Sequence, residues 1–321
     1  MDLIYMNPDR QDIGVLHDYK LDLAFGKDEN NFELQIPSNT HCCSDGFYLY
    51  VEDTEYGGVV DAIRSDTAQQ EVVYIGRTWH GMLNSKIIAP DPGADYLVLN
   101  GDANSVLLSL IQRIGLTGLF TVSGGVSGLE IAGYKMPRYI PAYDGIRKML
   151  GAVSGKLAIT FSKGYVVLAA VPRADQSDLG EFDSDKIGFR AQRNYRPVNH
   201  LICLGRGELA ERDVVHLYVD ETGNISKTQT LIGLQERTEV YDYPNAESLE
   251  ELETGGVERL KELSVAGDIK VNLGANGAVY DVQDTVTAVD NVTGLFVTAE
   301  ISKKIVTIDR GEVEITYEVE E

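Results

Sequence analysis

Five histidines (His17, His41, His80, His200 and His216) and three cysteines (Cys42, Cys43 and Cys203) are the side chains best suited to nucleophilic or metal chemistry. No histidine belongs to a His-Glu-x-x-His pair or any other ligand spacing, so a zinc site would need several of them to converge from distant segments. Cys42 and Cys43 beside His41 form the one local cluster of soft ligands, yet they lack the two-residue spacer of a metal-binding pair, and half-buried thiols are expected. Adjacent cysteines rarely bridge each other, because their Cα atoms lie closer than relaxed disulfide geometry requires. Three thiols cannot all pair, and a reducing compartment fits best. No metal and no cofactor is expected.

Other catalytic signatures are missing. The chain has no Gly-x-Ser-x-Gly elbow. Ser123-Gly124-Gly125-Val126-Ser127-Gly128 invites a phosphate-loop reading, but no lysine and hydroxyl residue follow, and a flexible loop is the simpler assignment. With 50 Asp+Glu, chance pairs of carboxylates are expected, so paired acids for glycoside cleavage cannot be read by inspection. The turns at Asp220 and Asp91-Pro92-Gly93-Ala94-Asp95 could hold calcium, but neither has the alternating ligands of a calcium loop, and plain turns are favoured. No catalytic residue is assigned.

The charge balance points away from chemistry and towards partners. Against those 50 acids stand 28 Lys+Arg, a formal net charge of -22. Such a surface repels nucleic acid and anionic lipid, although an acidic tunnel wall would let a duplex slide past without sticking. The exception is Arg190-Ala191-Gln192-Arg193-Asn194-Tyr195-Arg196. Arginine and tyrosine are enriched at interfaces, so Arg190, Arg193, Tyr195 and Arg196 are the candidate subunit interface, with a solvated connection as the bland alternative. The start lacks a basic region followed by an apolar run, and no apolar stretch approaches a membrane span, so a soluble protein made in a cytoplasm, with no membrane anchor, is expected.

The elements that would carry these residues are mostly strands. Phe32, Leu34 and Ile36, then Phe47, Leu49 and Val51, alternate with other residues, and an apolar run follows at Val72–Ile75, as in an antiparallel meander or small barrel. After Pro90 the period becomes helical: Val106, Leu107, Leu110, Ile111 and Ile114 share a face with Asp102 or Asn104 as caps, and Ala142–Val153 repeats the pattern. Between them, 115–133 is glycine-rich and expected to be a loop or hairpin. Strands at Leu157–Phe161 and Tyr165–Val171 complete an α+β middle third, two helices on a small sheet. Strands follow at His200–Leu204, Val214–Val219 and Ile225–Leu231, then a leucine-rich helix containing Gly255-Gly256, where a kink, a break or close packing is expected. Strands at Ile269–Leu273, Thr285–Val289, Leu295–Ile308 and Val313–Val319 end the chain. The third of these would span roughly 40 Å or more, which suits a wall or tube. The expected fold is α+β and β-rich, with an N-terminal barrel-like domain at 1–95, an α+β domain at 96–175, and at 176–321 a second β domain with one helix and a C-terminal barrel.

One further signal is a resemblance. The segment Tyr74-Ile75-Gly76-Arg77-Thr78-Trp79-His80-Gly81-Met82-Leu83-Asn84-Ser85-Lys86-Ile87-Ile88-Ala89-Pro90 resembles a recurring segment of phage and prophage tail hub proteins, in which a strand with a Gly-Arg-Ser/Thr step enters a short helix ending in Arg/Lys-Ile-Ile. The downstream order is similar too, through Lys156–Phe161 and Gly267-Asp268-Ile269 to a closing Val-x-x-x-Ile-x-x-Lys-x-Val-x-Ile before a final Ile-x-Tyr strand. The resemblance covers most of the chain and extends to the baseplate hub of contractile tails. It implies a trimeric ring in which two barrel-like domains per subunit continue the tail tube beneath distal tail and tube proteins, DNA passing without specific binding, in a virion tail built in the bacterial host cytoplasm. Family members often carry a C-terminal hydrolase or host-binding extension; because this chain stops soon after the closing strands, such an activity is expected on another protein. Two alternatives stand beside it: a tail-associated cell-wall or polysaccharide hydrolase, suggested by the carboxylates and tyrosines, and a host-glycan-binding β module, suggested by surface tyrosines such as Tyr48 and Tyr50.

Overall fold

The computed structural model describes residues 1–68, 70–174, 182–183, 189–193, 197–264, 267–271, 280–289 and 296–320. The chain forms two compact units, Met1–Phe189 with Lys270–Glu321, and Arg190–Ile269. The boundaries expected at 95 and 175 both fall within the first. No helix among the described residues is long and apolar enough to cross a membrane.

The first unit opens with β1 (Leu3–Met6), β2 (Asp12–Leu16), β3 (Lys20–Gly26), β4 (Asn31–Pro37), β5 (Tyr48–Tyr50), β6 (Gly57–Asp66) and β7 (Glu71–Thr78). Alternation in β4 sets Phe32, Leu34 and Ile36 inward, as the period-2 pattern requires. Helix α1 (Trp79–Asn84) follows directly, then β8 (Ile87–Ile88) and β9 (Leu97–Asp102). Helix α2 (Ala103–Arg113) buries Val106, Leu107, Leu110 and Ile111, and the Asp102 carboxylate caps it by accepting the Asn104 N–H at 3.0 Å. After β10 (Phe120–Val122), β11 (Glu130–Met136) and β12 (Ile140–Pro141), α3 (Ala142–Gly151) buries Ile146, Met149 and Leu150. The hairpin β13 (Gly155–Ser162) and β14 (Tyr165–Pro172) turns through Lys163 and Gly164, both at positive φ, and β15 (Phe182–Asp183) is a short edge.

The stretch 115–133, expected as a loop or hairpin, contains β10 and the start of β11 in two different sheets: β10 runs parallel to β14, and β11 pairs antiparallel with β9. The register of β11 shifts between Ile131 and Tyr134, so the alternation that marks a strand is interrupted. As expected, α2 and α3 pack on a small sheet, ordered β10-β14-β13.

In the second unit, β16 (Phe189–Arg193) pairs with β21 (Gly267–Val271) where the chain enters and leaves. Between them, β17 (His200–Leu204), β18 (Val214–Val219), β19 (Ile225–Ser226) and β20 (Thr238–Asp242) form a sheet ordered β19-β18-β17-β20. Helix α4 (Leu249–Leu263) covers one face and runs unbroken through the glycine pair. Close packing is the reason: a Cβ on Gly256 would lie 2.5 Å from Cys203 Sγ and 2.9 Å from Leu217 Cδ1.

The chain then returns to the first unit as β22 (Thr285–Val289), β23 (Phe296–Asp309) and β24 (Glu312–Glu320). Central β23 pairs with β22, β24 and, through Lys303–Asp309, with β3. The β segments from the two chain ends are therefore continuous in one eleven-stranded sheet, ordered β15-β22-β23-β3-β4-β7-β6-β5-β1-β2 with β24 beside β23. Leu3 of β1, Leu34 of β4 and Ile308 of β23 share one core, so the sheet curls around it, yet among the described residues no ladder joins β2 to β3. On the other face of β1 and β5, Met6 and Tyr50 join a second core with Trp79, Tyr143 and Phe161.

Candidate functional site

Polar groups converge where the long β23 crosses beneath α1 and β13. Lys304 falls in the inward phase of its strand, two and four residues before Val306 and Ile308, and only 2% of it is exposed. A buried ammonium needs partners. Lys304 Nζ donates to Glu55 Oε1 at 2.7 Å, lies 3.5 Å from Asp281 Oδ1, and sits over the Tyr56 ring. Lys156 of β13 extends the network, donating to Asp281 Oδ2 at 2.7 Å and to Asp284 Oδ2 at 2.8 Å. Asp284, itself buried, accepts the N–H groups of Asp281 and Ala174, so the turn before β22 is tied to the end of β14.

His80 approaches from α1, with Nε2 3.5 Å from Glu55 Oε2. Its ring packs 4.7 Å from Phe25 and 5.2 Å from Tyr143, and among the described residues Nδ1 has no hydrogen-bond partner. Burial first, then the charges of Lys304 and Arg147, push its pKa down to about 3, so it stands as a neutral imidazole. Burial raises the Glu55 carboxyl although Lys304 opposes it. For Asp281 burial also works against the charge, but Lys156 and Lys304 outweigh it and hold the carboxylate below its ordinary pKa. Both lysines are likewise raised by their acidic partners despite burial. A cleft of about 330 Å³, lined by Glu55, Tyr56, His80, Tyr143, Thr160 and Asp281, opens onto the network.

The segment 74–90 positions this network. Gly76 lies where a Cβ would meet Val59 O at 1.9 Å, and Gly81 where one would meet Asn30 O at 2.1 Å, so β7 and α1 pass too close to their neighbours for any other residue. Thr78 caps α1, its Oγ1 accepting the Gly81 N–H, and Arg77 makes two 2.7 Å bonds to the Asp61 carboxylate. The fully buried Trp79 then fixes the helix.

The candidate interface residues Tyr195 and Arg196, and the side chains of Arg190 and Arg193, lie outside the described residues. Tyr48 and Tyr50 do not form a surface pair: Tyr50 is 4% exposed with its ring 4.1 Å from Phe161, and Tyr48 stacks on Trp79, because β5 is covered on both faces. The glycine-rich loop is pinned by Ser127, which donates to the Asp102 carboxylate at 2.6 Å. The Asp220 carboxylate is spent within its own turn, accepting from Thr222 and Asn224. Among the described residues no three acidic, histidine or cysteine side chains form a metal-binding group. Neither the Lys304 network nor a second grouping was foreseen: His200 Nδ1 lies 2.7 Å from Glu236 Oε1, and its Nε2 lies 2.9 Å from His216 Nδ1. The two histidines come from paired strands, and only the β17/β18 register brings them together.

No family model and no curated protein matches the sequence. Solved structures share the fold along its whole length. A tail protein from Neisseria meningitidis MC58 superposes with a TM-score of 0.52 at 11% identity, covering 100% of this chain and 96% of that one. A prophage tail protein from Listeria monocytogenes EGD-e gives 0.50 at 11%, covering 99% and 94%. The 43 kDa tail protein of prophage MuSo2 from Shewanella oneidensis gives 0.54 at 12%, covering 99% and 96%.

Proposed function

We propose, from a fold shared end to end with phage and prophage tail proteins, that this chain is a structural tail subunit: the hub that continues the tail tube and lets DNA pass. The observation that carries it is full-length superposition, which leaves no segment of this chain without a counterpart in the Neisseria protein. The eleven-stranded sheet supports it, because among the described residues the borders at β2, β15 and β24 have no further ladder partner, and these are edges that neighbouring copies would cover, completing barrel-like modules around an axis. Three copies form the ring in this reading, with distal tail and tube proteins stacked on it. The net charge of -22 suits an inner wall that does not hold DNA, and a wall lined with Lys and Arg in the assembled ring would contradict this. Expression of the chain during particle assembly, followed by immunogold labelling, tests the role: label belongs at one end of the tails.

A second reading, a tail-associated polysaccharide hydrolase, is favoured by one observation. In the 330 Å³ cleft, environments push Glu55 up and Asp281 down, the separation that acid and base roles require. Against it, both carboxylates are already held by lysines. Zymography of the purified protein on peptidoglycan decides between them: clearing supports the hydrolase.

A further inference from the structure

Residues 41–47 precede β5, and the Tyr74 hydroxyl of β7 fixes their start. It accepts the backbone N–H groups of Cys42 and Cys43, each at 3.1 Å, and lies 2.7 Å from His41 Nδ1. Neighbouring side chains on a regular strand point to opposite faces. Here, with the backbone held at both cysteines and the ring of His41 on the same hydroxyl, the two sulfurs instead touch, Sγ to Sγ 3.4 Å. Cys42 is half-buried and open to small reagents, whereas Cys43 is fully buried.

We infer that Cys42 and Cys43 are a reversible thiol-modification site, which closes to a vicinal disulfide when the protein meets a small-molecule disulfide such as oxidised glutathione. The Cys42 thiolate attacks one sulfur of the reagent, forming a mixed disulfide and releasing one thiolate. Cys43 passes its proton to that departing thiolate and attacks Cys42 Sγ, expelling the second thiolate, which takes back from solvent the proton that Cys42 lost on ionising. Two protein thiols are oxidised and one small disulfide is reduced to two thiols. The contact supports the roles: the hydrogen bond from Cys43 holds Cys42 below the ordinary thiol pKa, and the same bond, with burial, raises Cys43. Adjacent Cα atoms stand about 3.8 Å apart, short of the roughly 4.4–6.8 Å of relaxed bridges, so the closed form is strained and easily reduced. Reversibility follows from that strain.

The full chain is incubated with oxidised glutathione, alkylated, digested and weighed. The expected result is a peptide spanning Cys42 and Cys43 that has lost two hydrogens and takes no alkyl group, restored by dithiothreitol, while the buried Cys203 stays reduced. Cys43→Ser is expected to stop at a glutathione adduct on Cys42, and Tyr74→Phe, which removes the shared acceptor, to close several-fold more slowly in a chain that still unfolds cooperatively. A persistent adduct on Cys42 of the native chain, a disulfide between two chains, or no reaction would each overturn the proposal.

Discussion

Lys304 and Glu55 stand 249 positions apart in the sequence and meet at 2.7 Å in the interior, so a strand near the C-terminus is tied to a turn near the N-terminus. Removing one partner of a buried pair leaves the other charge uncompensated. Lys304→Met should therefore lower the unfolding free energy by about 3 kcal/mol in a urea titration, while Lys304→Met combined with Glu55→Leu should recover most of it. A double variant no more stable than the single one would show that the pair carries no shared energy.

Acid sensitivity follows from His80, with a folded pKa of about 3 against an ordinary 6.5. Above pH 6.5 the imidazole is neutral in both states and its contribution is intact. As pH falls below 6.5 the unfolded chain takes up a proton that the folded chain refuses, and stability falls by up to about 1.4 kcal/mol per unit until about pH 3. Glu55, raised by burial, works in the opposite direction and softens the acid end. Thermal melts of His80→Phe, whose ring would sit among Phe25 and Tyr143, should decline less steeply from pH 6 to pH 4 than the parent chain.

The two adjacent glycines of α4 should respond in opposite ways. Gly255→Ala places a methyl no nearer than 3.3 Å to the Tyr241 hydroxyl, a side chain that can yield, and adds about 1 kcal/mol of helix propensity. Gly256→Ala drives its methyl to 2.5 Å from Cys203 Sγ, and overpacking of about 1–3 kcal/mol outweighs the same gain. Paired denaturation curves should place Gly255→Ala at or above the parent and Gly256→Ala below it.

Much of this fold was legible because its long elements keep one period. Val313, Ile315, Tyr317 and Val319 alternate along β24, and the helical stripe of α2 predicts its buried face. β11 was not legible, since a register shift breaks its alternation, and β20 is too exposed to show an apolar phase. The ion network was half visible: Lys304 sits in the apolar phase of β23, a signal of a buried cation. Its partners Glu55 and Asp281 lie in turns, where carboxylates are ordinary, and it takes the β3/β23 and β22/β23 ladders to bring them to Lys304. The His200–His216 contact was hidden for the same reason, since strand register is not written in spacing.

Assembly around a hollow axis is read out by cryo-electron microscopy of tail particles containing this chain. Three copies are expected in a ring coaxial with the tail tube, with the β2 and β24 borders covered by neighbours. Particles that lack the chain, or that carry it as a single peripheral copy with both borders bare, would contradict that assembly.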